Sequence, residues 1–196
     1  MTLDLPADLD IASITPYPIT ARREQKPVFG GPVSRVKRMG TRWAIAYQLL
    51  PHSYLEAMDL TDLEDEDERV SAPIPQPGLD VGNPGDPVVD GAGQTGNSYA
   101  VRGLTVGYTI RKGQWMSVIV GGKRFVYRAR AAVTADGTGR AVVPVRPMIR
   151  SAALDGATVE LADPRIEGFV TLPQDAFKVS APVMVSGLSF TIEETD

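Results

Sequence analysis

Residues 116–145 read MSVIVGGKRFVYRARAAVTADGTGRAVVPV. Met116, Val118 and Val120 recur at the period of two that marks a strand with one buried face. Gly121-Gly122 supplies the glycine pair of a two-residue hairpin turn. Phe125, Tyr127, Ala129, Ala131 and Val133 carry the alternation along a return strand. Asp136-Gly137-Thr138-Gly139 turns the chain again, and Ala141, Val143 and Val145 come next. Upstream, Leu104, Val106, Tyr108 and Ile110 alternate ahead of an Arg111-Lys112-Gly113 turn. The block 99–150 therefore predicts a meander of about four antiparallel strands, able to close as a small barrel or to form one layer of a sandwich.

The flanks add strands and one helix. Trp43, Ile45, Tyr47 and Leu49 share one face of a strand whose other face carries Ala44 and Ala46, which suits close packing in the middle of a sheet. Short strands in ATVELA, GFVTL, APVMVSG and LSFTIEE should complete the sheet opened by residues 41–49. Ser53, with Glu56 three residues on, reads as a capping box. Leu55, Met58 and Leu63 then predict a helix of about 12 to 14 residues, the best in the chain. Residues 71–98, SAPIPQPGLDVGNPGDPVVDGAGQTGNS, read as a long connection rich in turn signals. Residues 1–31, with Pro6, Pro16, Pro18 and Pro27, read as an extended arm or a first strand.

Composition narrows the function classes. The 19 glycines and 16 prolines in 196 residues punctuate the chain too often for long helices. A formal net charge of -4 disfavours whole-surface binding to nucleic acid. With no cysteine, disulfides and Cys-ligated zinc are excluded. The start MTLDLPADLD lacks the cationic and apolar regions of a secretory signal, and no apolar run is long enough to span a membrane as a helix.

No catalytic constellation assembles from these residues, and the chain is read as a non-enzyme with no cofactor and no metal. Gly91-Ala92-Gly93-Gln94-Thr95-Gly96 has the spacing of a dinucleotide fingerprint. The next residues, Asn97-Ser98-Tyr99-Ala100-Val101, do not read as a helix, so a glycine-rich entry to a hairpin is expected. His52 is the single histidine, which removes multi-histidine metal sites and points to a cap or loop contact. The acids Asp59, Asp62 and 64–68 have no glycine among them for a calcium loop. Asp80, Asp86, Asp90 and Asp136 sit in turns that Asx bonding explains. Tyr99, Tyr108, Trp115, Phe125 and Tyr127 would support carbohydrate or receptor binding if exposed together.

Charge is segregated. Arg22, Arg23, Lys26, Arg35, Lys37, Arg38 and Arg42 face a single acid, Glu24, across residues 21–42. Glu64, Asp65, Glu66, Asp67 and Glu68 form an unbroken acidic run. Complementary regions of this kind set the register of head-to-tail association, and both sets are candidate subunit-interface residues.

The span 40–175 resembles the distal tail protein, a minor tail or baseplate protein of long bacteriophages with non-contractile tails, and its relatives in gene transfer agents. The resemblance is carried by Arg42-Trp43 ahead of a helix, by residues 89–96 with Gly91, Gly93 and Gly96, and by Gly103-Leu104. It continues in Arg111-Lys112-Gly113-Gln114, where relatives usually have an acid after the glycine. Its strongest part is Val133-Thr134-Ala135-Asp136-Gly137-Thr138-Gly139-Arg140-Ala141, leading to Val145-Arg146-Pro147-Met148-Ile149-Arg150. It implies a ring, expected to be a hexamer, that joins tail tube protein to baseplate hub protein, with DNA passing through the lumen. Another tail or neck ring protein, such as a tube or tail-completion protein, is the alternative within that class.

The expected fold is therefore mainly β. It has a β-sandwich-like ring-forming domain with one short α-helix, plus a small antiparallel β domain. An arm or first strand covers 1–31. The ring-forming domain takes 32–85 and is completed by strands in 151–196. The second β domain lies between them at 86–150.

Overall fold

The computed structural model describes the chain apart from residues 1, 7–8, 26–29, 32–33, 38–39, 59, 61–62, 64–68, 175, 177, 181–183, 187 and 196. The fold is mainly β, with one short helix. Two six-stranded sheets make up its bulk.

The chain opens with β1 (Thr2–Asp4) and β2 (Ile11–Ile19). A hairpin of β3 (Arg22–Gln25) and β4 (Ser34–Lys37) precedes β5 (Arg42–Leu49). Trp43, Ile45, Tyr47 and Leu49 are all buried, as their spacing predicts. β5 is paired on both sides, so it lies inside its sheet. Pro16 and Pro18 are tolerated in β2 because it is an edge strand, where a missing amide donor costs no ladder bond.

Short β6 (His52–Ser53) leads into α1 (Tyr54–Met58). The capping box forms. The Ser53 amide donates to Glu56 Oε2 at 2.9 Å, and the Glu56 amide donates to Ser53 Oγ at 3.3 Å. These bonds hold the Glu56 carboxyl below its ordinary pKa. The helix is shorter than its pattern predicts. After Met58, the amides of Leu60 and Leu63 bond three residues back, to Ala57 and Leu60, a tighter turn that cannot run far. Leu60 and Leu63 point into the core instead.

β7 (Arg69–Pro73) begins directly after the acidic run. Residues 71–98 are not one unstructured connection, because Gly85–Val89 form β8 and Val89 is fully buried. β9 (Ser98–Leu104) follows. Val106 is exposed and Gly107 turns at a φ of 77°, so the expected continuous strand 104–110 breaks and resumes as β10 (Thr109–Ile110). β11 (Trp115–Val120) and β12 (Lys123–Ala129) meet at Gly121-Gly122, whose φ values of 58° and 78° suit a type I′ turn. The return strand stops at Ala129. Val133 belongs to β13 (Val133–Thr134), which pairs with β10. β14 (Ala141–Arg146) and β15 (Val159–Glu160) complete this half.

These strands nearly close on themselves. The order is β15-β11-β12-β14-β9-β8, and a bridge from Val88 to Thr158 joins the last strand to the first. The result is a six-stranded antiparallel sheet, nearly closed into a barrel. Its interior holds Val101, Met116, Val118, Phe125, Val143 and Val145, with the Tyr99 and Tyr127 rings edge to face at 5.1 Å. The segment ATVELA thus enters the barrel, not the sheet begun by residues 41–49, because Val159 and Glu160 pair with Val118 and Ser117.

The remaining strands return to the first sheet, ordered β1-β7-β16-β19-β5-β2 through β16 (Arg165–Thr171) and β19 (Ser189–Glu194). β17 (Lys178–Ser180) pairs with β18 (Met184–Ser186), whose other side pairs with β6, in a small separate sheet. The outer faces of β11 and β12 pack on the first sheet. Trp115 and Val126 belong to its core, and Trp115 meets Trp43 edge to face at 4.7 Å. Such a pair adds about 0.5–1.5 kcal/mol beyond its buried area.

Candidate functional site

The two sheets are joined by buried polar groups. The Glu194 carboxylate accepts the Trp43 amide at 2.5 Å and the Val126 amide at 2.6 Å. It also pairs with Arg150 at 2.9 Å, where both side chains are buried. One acid thus ties β5, β12, β19 and the segment after β14. Arg165 does similar work. Its Nε donates to Ser71 Oγ at 3.0 Å, its Nη2 donates to the Leu5 carbonyl, and its amide donates to Ser117 Oγ at 3.1 Å. Arg124 sits between Glu160 at 3.2 Å and Glu167 at 3.8 Å. Tyr47 donates to the Pro73 carbonyl at 2.9 Å, and burial pushes its phenol far up. The Tyr47 bond lies within the first sheet, and the Glu194, Arg165 and Arg124 groups have partners on both sheets.

The turns singled out in the sequence are braced. The Gly91, Gly93 and Gly96 loop joins antiparallel β8 and β9, as a hairpin entry does, with φ values of 96°, 70° and 91°. Asp155 accepts the Gly91 amide at 2.8 Å and pairs with Arg102. Asp136 Oδ1 accepts the amides of Thr138 at 2.8 Å and Arg140 at 3.0 Å. Gly139 turns at a φ of 72° against the Leu104 carbonyl. Pro147 follows a cis peptide bond and is buried. His52 makes a loop contact, Nδ1 to the Leu50 carbonyl at 2.6 Å.

Hydrogen bonds to the charged forms hold the Asp136 and Asp155 carboxyls below the ordinary 3.8. A depressed folded value adds stability that is full above the unfolded value and is lost as the pH falls through the folded value. Carboxyl carbon shifts followed by NMR should therefore give both groups midpoints below 3.8. A midpoint at or above that value would show these turns are not braced as described.

The basic candidates are spread over the β3–β4 hairpin and β5. Arg22 and Arg23 lie on β3, and Arg35 and Lys37 on β4, with Arg22 opposite Lys37 and Glu24 opposite Arg35 in the hairpin register. Arg42 is engaged within the chain, its Nε donating to Glu193 at 2.9 Å. Lys26, Arg38 and residues 64–68 lie outside the described residues.

A second basic surface, spread over residues 111–146, is not evident from sequence runs. Arg111, Lys112, Arg128, Arg130 and Arg146 converge on two adjoining hollows of about 320 and 440 Å³, with no acid in the lining. Arg128 lies on β12 directly opposite Arg146 on β14. Its guanidinium stacks on Trp115 at 5.0 Å, and its Nε donates to the Gly113 carbonyl at 2.7 Å. Burial and the neighbouring Arg146 charge lower the Arg128 pKa. Pro75, Pro77 and Leu79 form an apolar wall at one end. The signal in the sequence was Arg128-Ala129-Arg130, two cations two residues apart where β12 ends.

Against protein-family models and curated proteins, the sequence matches none.

The aromatic face that a carbohydrate-binding reading would need is not exposed. Tyr99, Trp115, Phe125 and Tyr127 are buried, and Tyr108 is half-buried.

Proposed function

We propose that this chain is a structural subunit of a bacteriophage tail tip, assembling with copies of itself into a ring between the tail tube and the baseplate hub. The observation that carries the reading is the joint between the sheets. A nearly closed barrel is held on a second sheet by the Glu194–Arg150 pair, the Arg165 amide bond to Ser117 and the Trp43–Trp115 contact. Buried ionic joints of this kind fix one geometry more than they add stability, as a repeating part of an assembly requires. The resemblance carried by residues 133–141 and 145–150 supplies the tail tip and the expected hexamer.

Light scattering on the purified chain over a concentration series tests it, with images of any large species. A closed ring near six subunits is the expected result. A monomer at every concentration, including after addition of tail tubes, would overturn the reading.

A further inference from the structure

We propose that the arginine groove on the barrel is the docking site for the acidic run, residues 64–68, of a second copy of the chain. The inference rests on the self-assembling reading above and deepens it by naming the two halves of the contact.

The groove is an unneutralised charge cluster in a chain of net negative charge. Like charges directly opposite on neighbouring strands destabilise a sheet, and Arg128 and Arg146 are such a pair. No ion pair from Arg111, Lys112, Arg128, Arg130 or Arg146 to an acid occurs among the described residues. A local rule broken this way marks a site whose partner lies elsewhere. Four of the five cations are arginines, whose planar fork suits carboxylates.

The densest carboxylate source in the sequence is residues 64–68, five acids in succession. The described residues that flank the run lie away from the groove of their own chain. Leu63 is buried in the core against the first sheet, and Arg69 begins β7. The groove lies past the other end of β7, at Pro75 and Pro77. The strand between spans roughly 13 Å. Donor and acceptor at opposite ends of one strand make a head-to-tail contact, the heterologous kind that closes rings. The apolar wall at Pro75, Pro77 and Leu79 also suits a peptide better than a bare polyanion. Single-stranded nucleic acid would want an open stacking ring, and Trp115 is covered by Trp43 and Arg128.

The test uses the full chain in three arms. A fluorescent peptide of residues 60–68 should bind wild type by anisotropy. Binding should weaken about tenfold or more with Arg130→Glu plus Arg146→Glu, and equally when the peptide acids become amides. Self-association should fall in that groove variant and in a Glu64→Lys, Glu66→Lys, Glu68→Lys variant. Mixing the two should restore it, since each supplies the charge the other needs. Peptide binding unaffected by the groove substitutions overturns the proposal, as does preferential binding of a labelled oligothymidine. So does a mixture that stays dissociated while wild type assembles. If wild type does not assemble yet binds the peptide through the groove, the ring reading fails and the groove assignment stands.

Discussion

Glu194→Gln is expected to destabilise the chain by about 3–5 kcal/mol, because it leaves the buried Arg150 charge without its counterion. The carboxylate accepts two amides from different sheets and pairs with Arg150 at 2.9 Å. Glutamine can still accept one amide, so the loss is mainly that of the charge. Arg150→Met should also destabilise, since it strands the carboxylate and removes a guanidinium stacked on Phe125 at 5.3 Å. The double variant should lose less than the two singles together, by about 1–3 kcal/mol of coupling. Urea midpoints for the four proteins decide it. Additive losses would mean that the two residues do not act as a pair.

Gly168→Ala should cost at least about 3 kcal/mol, enough to empty the soluble fraction on expression. Gly168 lies on β16 opposite Glu194 on β19. An added Cβ would overlap the Glu193 carbonyl and come within 2.9 Å of the Glu194 amide. These are backbone atoms, so no side-chain rotation relieves the clash, and β16 would have to leave β19. Gly93→Ala is the control. Nothing lies within 4 Å of its Cβ, and only its φ of 70° resists, a penalty of about 1–2 kcal/mol. Thermal melts that rank Gly93→Ala as the worse variant would refute the close approach at β16.

Much of the fold was legible because each signal was local. The alternation around Gly121-Gly122, the capping box at Ser53 and the buried face of residues 43–49 all depend on near neighbours. The barrel was legible only as one of two options for residues 99–150, since Val88 and Thr158 are far apart in sequence and their bridge has no local signature. Trp115 and Ser117 are buried beside Met116 and Val118, because β11 is covered on both faces, and two-sided burial erases a strand's period. The helix was overread because Leu63 keeps a helical spacing while reaching the core through a tighter turn. The candidate site was legible only as charge runs. Arg42 proved to have a partner in Glu193, and the groove draws its cations from two strands, a turn and the bend after β12, which no run displays.

The barrel occupies a continuous middle stretch, while the first sheet takes strands from both ends of the chain. During synthesis, residues 85–160 can leave the ribosome and fold through hairpins while β19 is still unmade. Closing the barrel then shortens the effective loop between β7 and β16, whose Pro73 and Arg165 are partners, and a shorter loop costs less entropy to close. The final strand, carrying Glu194, therefore acts as a latch set last. A nascent chain truncated before residue 189 should hold a formed barrel beside an unfinished sheet with an exposed edge, the state in which this protein is most open to mispairing.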